Sequence, residues 1–191
     1  MRLSFDSGAR HAAVNRRERK RSFVAGVYDW AGAAVFSLTA VVLLLLFVVR
    51  IVGVDGTSMV PTLNDGDRLL VSVLPQDLRR GDIVIVNRYT LEPLIKRIVA
   101  VEGDTVRIDS DQGRVFLNGD PLYEPYIQGK TLARDFGDQP RTVPDGYLVV
   151  MGDNREYSKD SRSAEIGLVP VEDVIGLAFF RFAPSKDFGP I

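Results

Sequence analysis

The stretch "PLIKRIVAVEGDTVRID" occupies residues 93–109, and its reading decides the architecture. Two runs rich in Val and Ile, 93–102 and 104–109, flank a Gly-Asp pair at Gly103. β-Branched residues favour strands and Gly-Asp favours a turn, so the stretch predicts two strands with a tight connection. The same pattern extends outward as "RLLVSVL" (68–74), "DIVIVNR" (82–88), "GRVFLNG" (113–119), "GYLVVMGD" (146–153) and "GLAFFRF" (176–182). Gly-Asp occurs six times, at Gly66, Gly81, Gly103, Gly119, Gly137 and Gly152, with irregular spacing that argues against a solenoid. Asn118-Gly119 is a hairpin signal. Residues 120–145 are polar, carry Pro121, Pro125, Pro140 and Pro144, and read as an insertion or long loop. The expectation for residues 51–191 is a mainly β, mostly antiparallel domain.

Upstream, residues 31–49 read "AGAAVFSLTAVVLLLLFVV" without a charge. At the helical rise this spans about 28 Å, close to the hydrocarbon core of a bilayer. The run is longer than the apolar part of a cleaved signal peptide, and no small-x-small site follows it. It lacks the period of a helix buried on one face. "RRERKR" (16–21) precedes it, and Tyr28 and Trp30 sit where interfacial aromatics would sit. The expected organisation is a basic cytoplasmic tail (1–30), a single-pass anchor in the cell membrane (31–50) and an extracytoplasmic domain (51–191). Positive charge before the anchor puts the N-terminus inside.

Charge is asymmetric. Residues 1–29 hold 7 Lys/Arg and 3 Asp/Glu, whereas residues 51–191 hold 16 and 22. An acidic main domain argues against nucleic acid as a partner. There is no cysteine, and the one histidine is His11. Disulfides, cysteine catalysis, histidine-based triads in the outer domain and His- or Cys-ligated metals are therefore excluded. No cofactor and no metal is expected.

A serine nucleophile would then need a neutral lysine, and neutrality needs burial. Of the lysines after residue 50 (Lys96, Lys130, Lys159, Lys186), only Lys96 lies inside an apolar run, "PLIKRIVAV". Strand alternation sets Lys96 and Arg97 on opposite faces, so one of them shares a face with apolar neighbours. From this run alone Lys96 could equally be an edge charge in solvent. Ser58, in "GTSMVPTLNDGD" (56–67), is either a turn hydroxyl or a nucleophile. "MGDNREYSKDSR" (151–162) is either a solvated loop or a polar network that orients a base.

In order along the chain, "SMVPTL" at Ser58, "RGDIVIV" at Arg80, "KRIVAVEGDTV" at Lys96 and "GDNREYSKDSR" at Gly152 resemble the bacterial type I signal peptidases, a Ser-Lys dyad peptidase family. The resemblance implies a coiled β-domain with a small barrel behind one transmembrane helix. It implies a membrane-anchored serine endopeptidase that removes signal peptides from secreted preproteins, cutting after small residues. Ser58 matches the nucleophile and Lys96 its general base. Ser158 matches the serine that hydrogen-bonds and orients the lysine, Asp160 the supporting carboxylate, and Arg162 its partner. Asp153 and Arg155 match structural positions of the motif. Met59 either seals the site against lipid or simply packs in the core. The implied partners are preproteins and membrane lipid, with the chain a monomer. Gly56 departs from family members that carry there a serine whose hydroxyl is an oxyanion donor. Two rivals are a tethered β-domain without catalysis and a self-cleaving regulator with a Ser-Lys pair; about 30 residues before the anchor leave little room for the latter's DNA-binding domain.

Overall fold

The computed structural model describes residues 7–74, 77–87, 92–183 and 188–191, with helix side chains from residue 26 on except residue 44. The start of the predicted tail (1–6) and Arg88, at the end of one predicted strand, lie outside the described residues. The chain divides into two compact units, Met1–Phe47 and Val48–Ile191.

The first unit is helical. Helix α1 runs Ser7–Val48, and within it Gly26–Val48 is long and apolar enough to cross a membrane, by length and composition. Its side chains are exposed, including Trp30, Phe36, Leu46 and Phe47. A helix apolar on all sides has no face to present to water. The helix stops at Val48, and Arg50 already belongs to the first strand.

The second unit is mainly β, as anticipated. Its strands are β1 (Val49–Gly53), β2 (Arg68–Ser72), β3 (Ile83–Val86), β4 (Leu94–Ala100), β5 (Thr105–Asp109), β6 (Arg114–Leu117), β7 (Asp120–Pro121), β8 (Arg141–Thr142), β9 (Tyr147–Met151), β10 (Val169–Pro170), β11 (Val174–Ala183) and β12 (Gly189–Pro190). One sheet has the order β1-β2-β11-β3-β4-β9-β10, with β12 also on β11; the other has the order β7-β6-β5-β8. All named pairs are antiparallel. The larger sheet curls into a half-barrel. Its register shifts explain the curl: β11 slips against β2 at Ala178/Phe180 and Arg181/Ala183 and against β3 at Val174/Gly176, and β4 slips against β9 at Ile98/Ala100. Such irregularities bend strands and increase twist. At Gly176 a Cβ would lie 2.5 Å from the Ser72 carbonyl oxygen, so only glycine lets β2 and β11 approach there.

Each predicted strand run became a strand. β3 is buried along its whole length because both faces are covered: Ile83 and Ile85 join a cluster with Met59, Leu63, Leu69 and Val71, while Val84 and Val86 join Ile98, Leu148 and Val150. A third cluster ties the sheets together, with Val106, Ile108 and Val115 of the small sheet against Val99, Val149 and Met151 of the large one. Asn118 and Gly119 turn the β6–β7 hairpin with φ of 54° and 97°, as a type I′ turn requires. Met59 is 1% exposed and belongs to the core, as its packing reading expects.

Candidate active site

Ser58 lies in the loop between β1 and β2. The loop is closed at its base by Val54 N–H to Asp67 O (2.8 Å) and Gly66 N–H to Val54 O (3.0 Å), and Met59 and Leu63 root it in the core. The Gly56 N–H donates to Asp65 Oδ1 at 2.8 Å. Thr62 Oγ1 donates to Asp153 Oδ2 at 2.5 Å, and Arg181 Nη1 donates to Thr62 O at 2.7 Å. From the far side Asn154 N–H donates to Ser58 O (3.0 Å), and Asn154 Nδ2 to Thr57 O (3.1 Å). The carbonyls of Val54, Thr57, Ser58, Thr62 and Asp67 are thus occupied, while the Ser58 N–H and the Thr57 hydroxyl donate to nothing among the described residues.

Lys96 is on β4, between β3 and β9, so it is not an edge charge. It is 3% exposed. Its Nζ lies 2.9 Å from Ser58 Oγ and donates to Ile95 O, also at 2.9 Å. Burial lowers its pKa to about 8, against the opposing pull of Asp160 and Asp153.

Those two carboxylates are engaged elsewhere. Asp153 receives Arg97 Nε (2.9 Å) and Nη2 (2.6 Å). Asp160 receives Arg162 Nε (2.8 Å) and Nη2 (2.9 Å), and the Gly152 N–H (3.0 Å). Burial alone would raise the Asp160 carboxyl, but Arg162 and the Gly152 N–H outweigh it and hold it below the usual carboxylate range. Asp160 and Arg162 are both 0% exposed, a placement that such a pair tolerates only when its hydrogen bonds are complete.

Ser158 departs from expectation. It is near enough to Asp160 to favour the ionised carboxylate, yet its buried Oγ completes no hydrogen bond, and it does not bond Lys96. The reason is local. Ser158 Oγ fills the space that a Cβ on Gly152 would take, and the Ser58 carbonyl oxygen lies against the same space. Glycine at 152 lets three segments converge there.

Ser58, Lys96, Asp160 and Arg162 are therefore brought together, and Ser158 is beside them without the predicted bond. Sequence reasoning missed Thr62, Asn154 and Arg181, and did not pair Arg97 with Asp153. A signal existed for two of them: Arg97 in "LIKRIVA" and Arg181 in "GLAFFRF" are charges inside apolar strands, which calls for a buried partner. A cavity of about 510 Å³ opens beside the pair, with Val52, Val54, Ile85 and Ile95 among its walls together with Ser58 and Lys96.

A serine hydroxyl beside a buried amine, with no imidazole in the domain, is what a histidine-free hydrolase needs. Residues 27–183 match the family described as Signal peptidase, peptidase S26, and the chain belongs to that family. It is thereby placed among the peptidases, which are hydrolases. Among similar proteins is the Signal peptidase I of Bacillus amyloliquefaciens, 38% identical over 186 residues, covering 91% of this chain and 97% of that protein. Signal peptidase I T of Bacillus subtilis is 37% identical over 172 residues, covering 83% and 86%. Signal peptidase IB of Staphylococcus aureus is 32% identical over 160 residues, covering 74% and 82%.

Proposed function

We propose that the chain removes signal peptides from secreted preproteins, with Ser58 as nucleophile and Lys96 as its general base. The observation that carries this reading is the 2.9 Å separation of Lys96 Nζ from Ser58 Oγ on a lysine whose pKa is lowered to about 8. Near neutral pH a useful fraction of the amine is unprotonated. The neutral amine accepts the Ser58 proton as Oγ attacks the scissile carbonyl carbon. The acyl-enzyme forms, the leaving amine takes a proton from the lysine, and water activated by the same amine releases the product. The free Ser58 N–H is one donor for the developing oxyanion. Asp160, held by Arg162, and Ser158 form the support behind the lysine. The apolar cavity suits small side chains of an extended substrate.

The apolar segment Gly26–Val48 anchors the chain in the cell membrane, with the basic N-terminal side in the cytoplasm and the β-domain outside. The bond to be cut emerges from the bilayer near that surface. The enzyme works as a monomer on preprotein and lipid. The test is release of a signal peptide from a purified preprotein by the full chain in detergent, with Ser58→Ala, Lys96→Ala and Lys96→Arg alongside. Each variant should fold and fall below about a tenth of wild-type rate. Higher residual activity in any of the three overturns the assignment.

A further inference from the structure

Segment 120–145 reads in the sequence as an insertion, yet its middle is bound to the turn that carries Ser158. Gln128 N–H donates to Asp153 O at 2.8 Å, and Arg155 N–H donates to Gln128 O at 2.9 Å. Glu124 pairs with Arg155 through both carboxylate oxygens, with both side chains buried. Beyond these, Arg134 directs its guanidinium at three carbonyls of one turn. Its Nη1 donates to Ser158 O at 2.6 Å, and its Nη2 to Glu156 O at 2.8 Å and Arg155 O at 3.4 Å.

Two features set Arg134 apart from an ordinary surface arginine. It is solvent-accessible, yet among the described residues it pairs with no carboxylate. Its φ is 52°, in the left-handed region that a long L side chain rarely adopts. A left-handed backbone and a cation aimed at neutral carbonyls thus coincide at Arg134. The turn it grips reaches the reacting groups in two ways. Asn154 N–H, one residue before the gripped span, holds Ser58 O at 3.0 Å. Ser158, at its other end, sits against Gly152, whose N–H holds Asp160.

We infer that Arg134 is a positioning residue for the Ser58–Lys96 pair: it staples the carbonyls of residues 155–158 and thereby fixes both the Ser58 carbonyl and the Ser158 side chain. The inference rests on the peptidase reading above. Because Arg134 touches neither substrate nor the reacting atoms, its loss acts on alignment and on how dry Lys96 remains.

The decisive variant is Arg134→Gly in the full chain, because glycine adopts a φ of 52° without strain. Stability and activity are then expected to part. The melting temperature stays level or rises, kcat for preprotein cleavage falls about tenfold, and KM holds. The pH midpoint of kcat moves upward, since a looser turn admits water to Lys96. Arg134→Lys, with one donor group in place of the fork, gives an intermediate kcat. Wild-type kcat and midpoint in Arg134→Gly overturn the inference, and so does a loss of kcat that tracks an equal loss of folding. A wild-type chain that cleaves nothing, or a Ser58→Ala chain that cleaves normally, fells the peptidase reading itself.

Discussion

Lys96 and Arg97 are adjacent cations on one strand, both buried, and their surroundings treat them in opposite ways. Arg97 grips Asp153 through two bonds, donates to Gly81 O at 2.7 Å and stacks on the Tyr126 ring at 4.1 Å. Lys96 has only neutral partners, Ser58 Oγ and Ile95 O. The other buried guanidiniums follow Arg97: Arg155 has Glu124, Arg162 has Asp160 and Arg181 has Asp67. A buried charge without a dedicated counter-ion lowers its cost by giving up its proton. Among the described residues, the domain thus pairs its buried arginines with carboxylates and leaves its one buried lysine, Lys96, without a dedicated counter-ion. The two aspartates that pull on that lysine, Asp153 and Asp160, are each paired with an arginine, which weakens their pull.

The largest test of this contrast replaces Lys96, the proposed proton acceptor. Lys96→Arg puts into the site a guanidinium that does not deprotonate, and cleavage should drop by about 10²–10⁴, the usual contribution of a general base. Near-normal rates would mean that Lys96 accepts no proton.

Breaking the other half of the contrast comes next. Arg97→Met leaves Asp153 buried without its cation, and should cost about 3–5 kcal/mol in denaturant unfolding. In whatever fraction stays folded, Asp153 turns to Lys96 as its counter-ion, so the pH–rate midpoint should rise above 8. A midpoint that falls would show that Asp153 does not reach the amine.

The unpaired lysine also predicts how stability depends on pH. Its pKa is about 8 folded against 10.5 in the free side chain. Below pH 8 both states bind the proton, and the folded state bears its burial. Between pH 8 and 10.5 the unfolded chain still binds it and the folded chain does not, so stability rises with pH across that window. The gain is about 3 kcal/mol, and Lys96→Met should remove it from the difference between the two unfolding curves. Parallel curves for wild type and variant would refute the lowered pKa.

The smallest effect lies on the serine side. Gly56 has a φ of 85° with open space where a Cβ would go. Gly56→Ser should therefore meet no clash but cost about 1–2 kcal/mol of stability through left-handed strain. Unchanged stability would show that the loop relaxes around the new side chain.

Much of this was legible in the sequence, for identifiable reasons. Strand runs such as "DIVIVNR" advertise themselves because a strand covered on both faces has no polar positions to interrupt it. β1 was hidden because Val49 ends the apolar run of the helix and only Ile51 and Val52 follow Arg50 before Gly53. β7, β8, β10 and β12 are two residues each, too short for a period to appear. The absence of histidine and cysteine narrowed the lysines to Lys96 but left Lys96 and Ser58 with two readings each, and only the resemblance of the four ordered motifs gave them roles. Their guards stayed hidden, because Arg97 and Asp153 are 56 residues apart and Asp67 and Arg181 114 apart, and alternation carries no information over such distances. The unbonded Ser158 hydroxyl was equally out of reach, since it depends on how closely Gly152 lets three segments converge.

The placement of Lys96 within the sheet also has a consequence in time. β4 is paired along both edges, to β3 and to β9, so its backbone cannot peel away as an edge strand can. The Ser58 loop, by contrast, is moored by side chains such as Thr62 and by two bonds from Asn154. Local opening in a protein follows such differences. Lys96 therefore keeps its place for as long as the sheet persists, while the Ser58 loop can open on a faster clock. On the proposed reading, substrate would meet a fixed amine and a hydroxyl with some freedom of approach, and the slow step that ends the working life of the site would be the parting of the sheet itself.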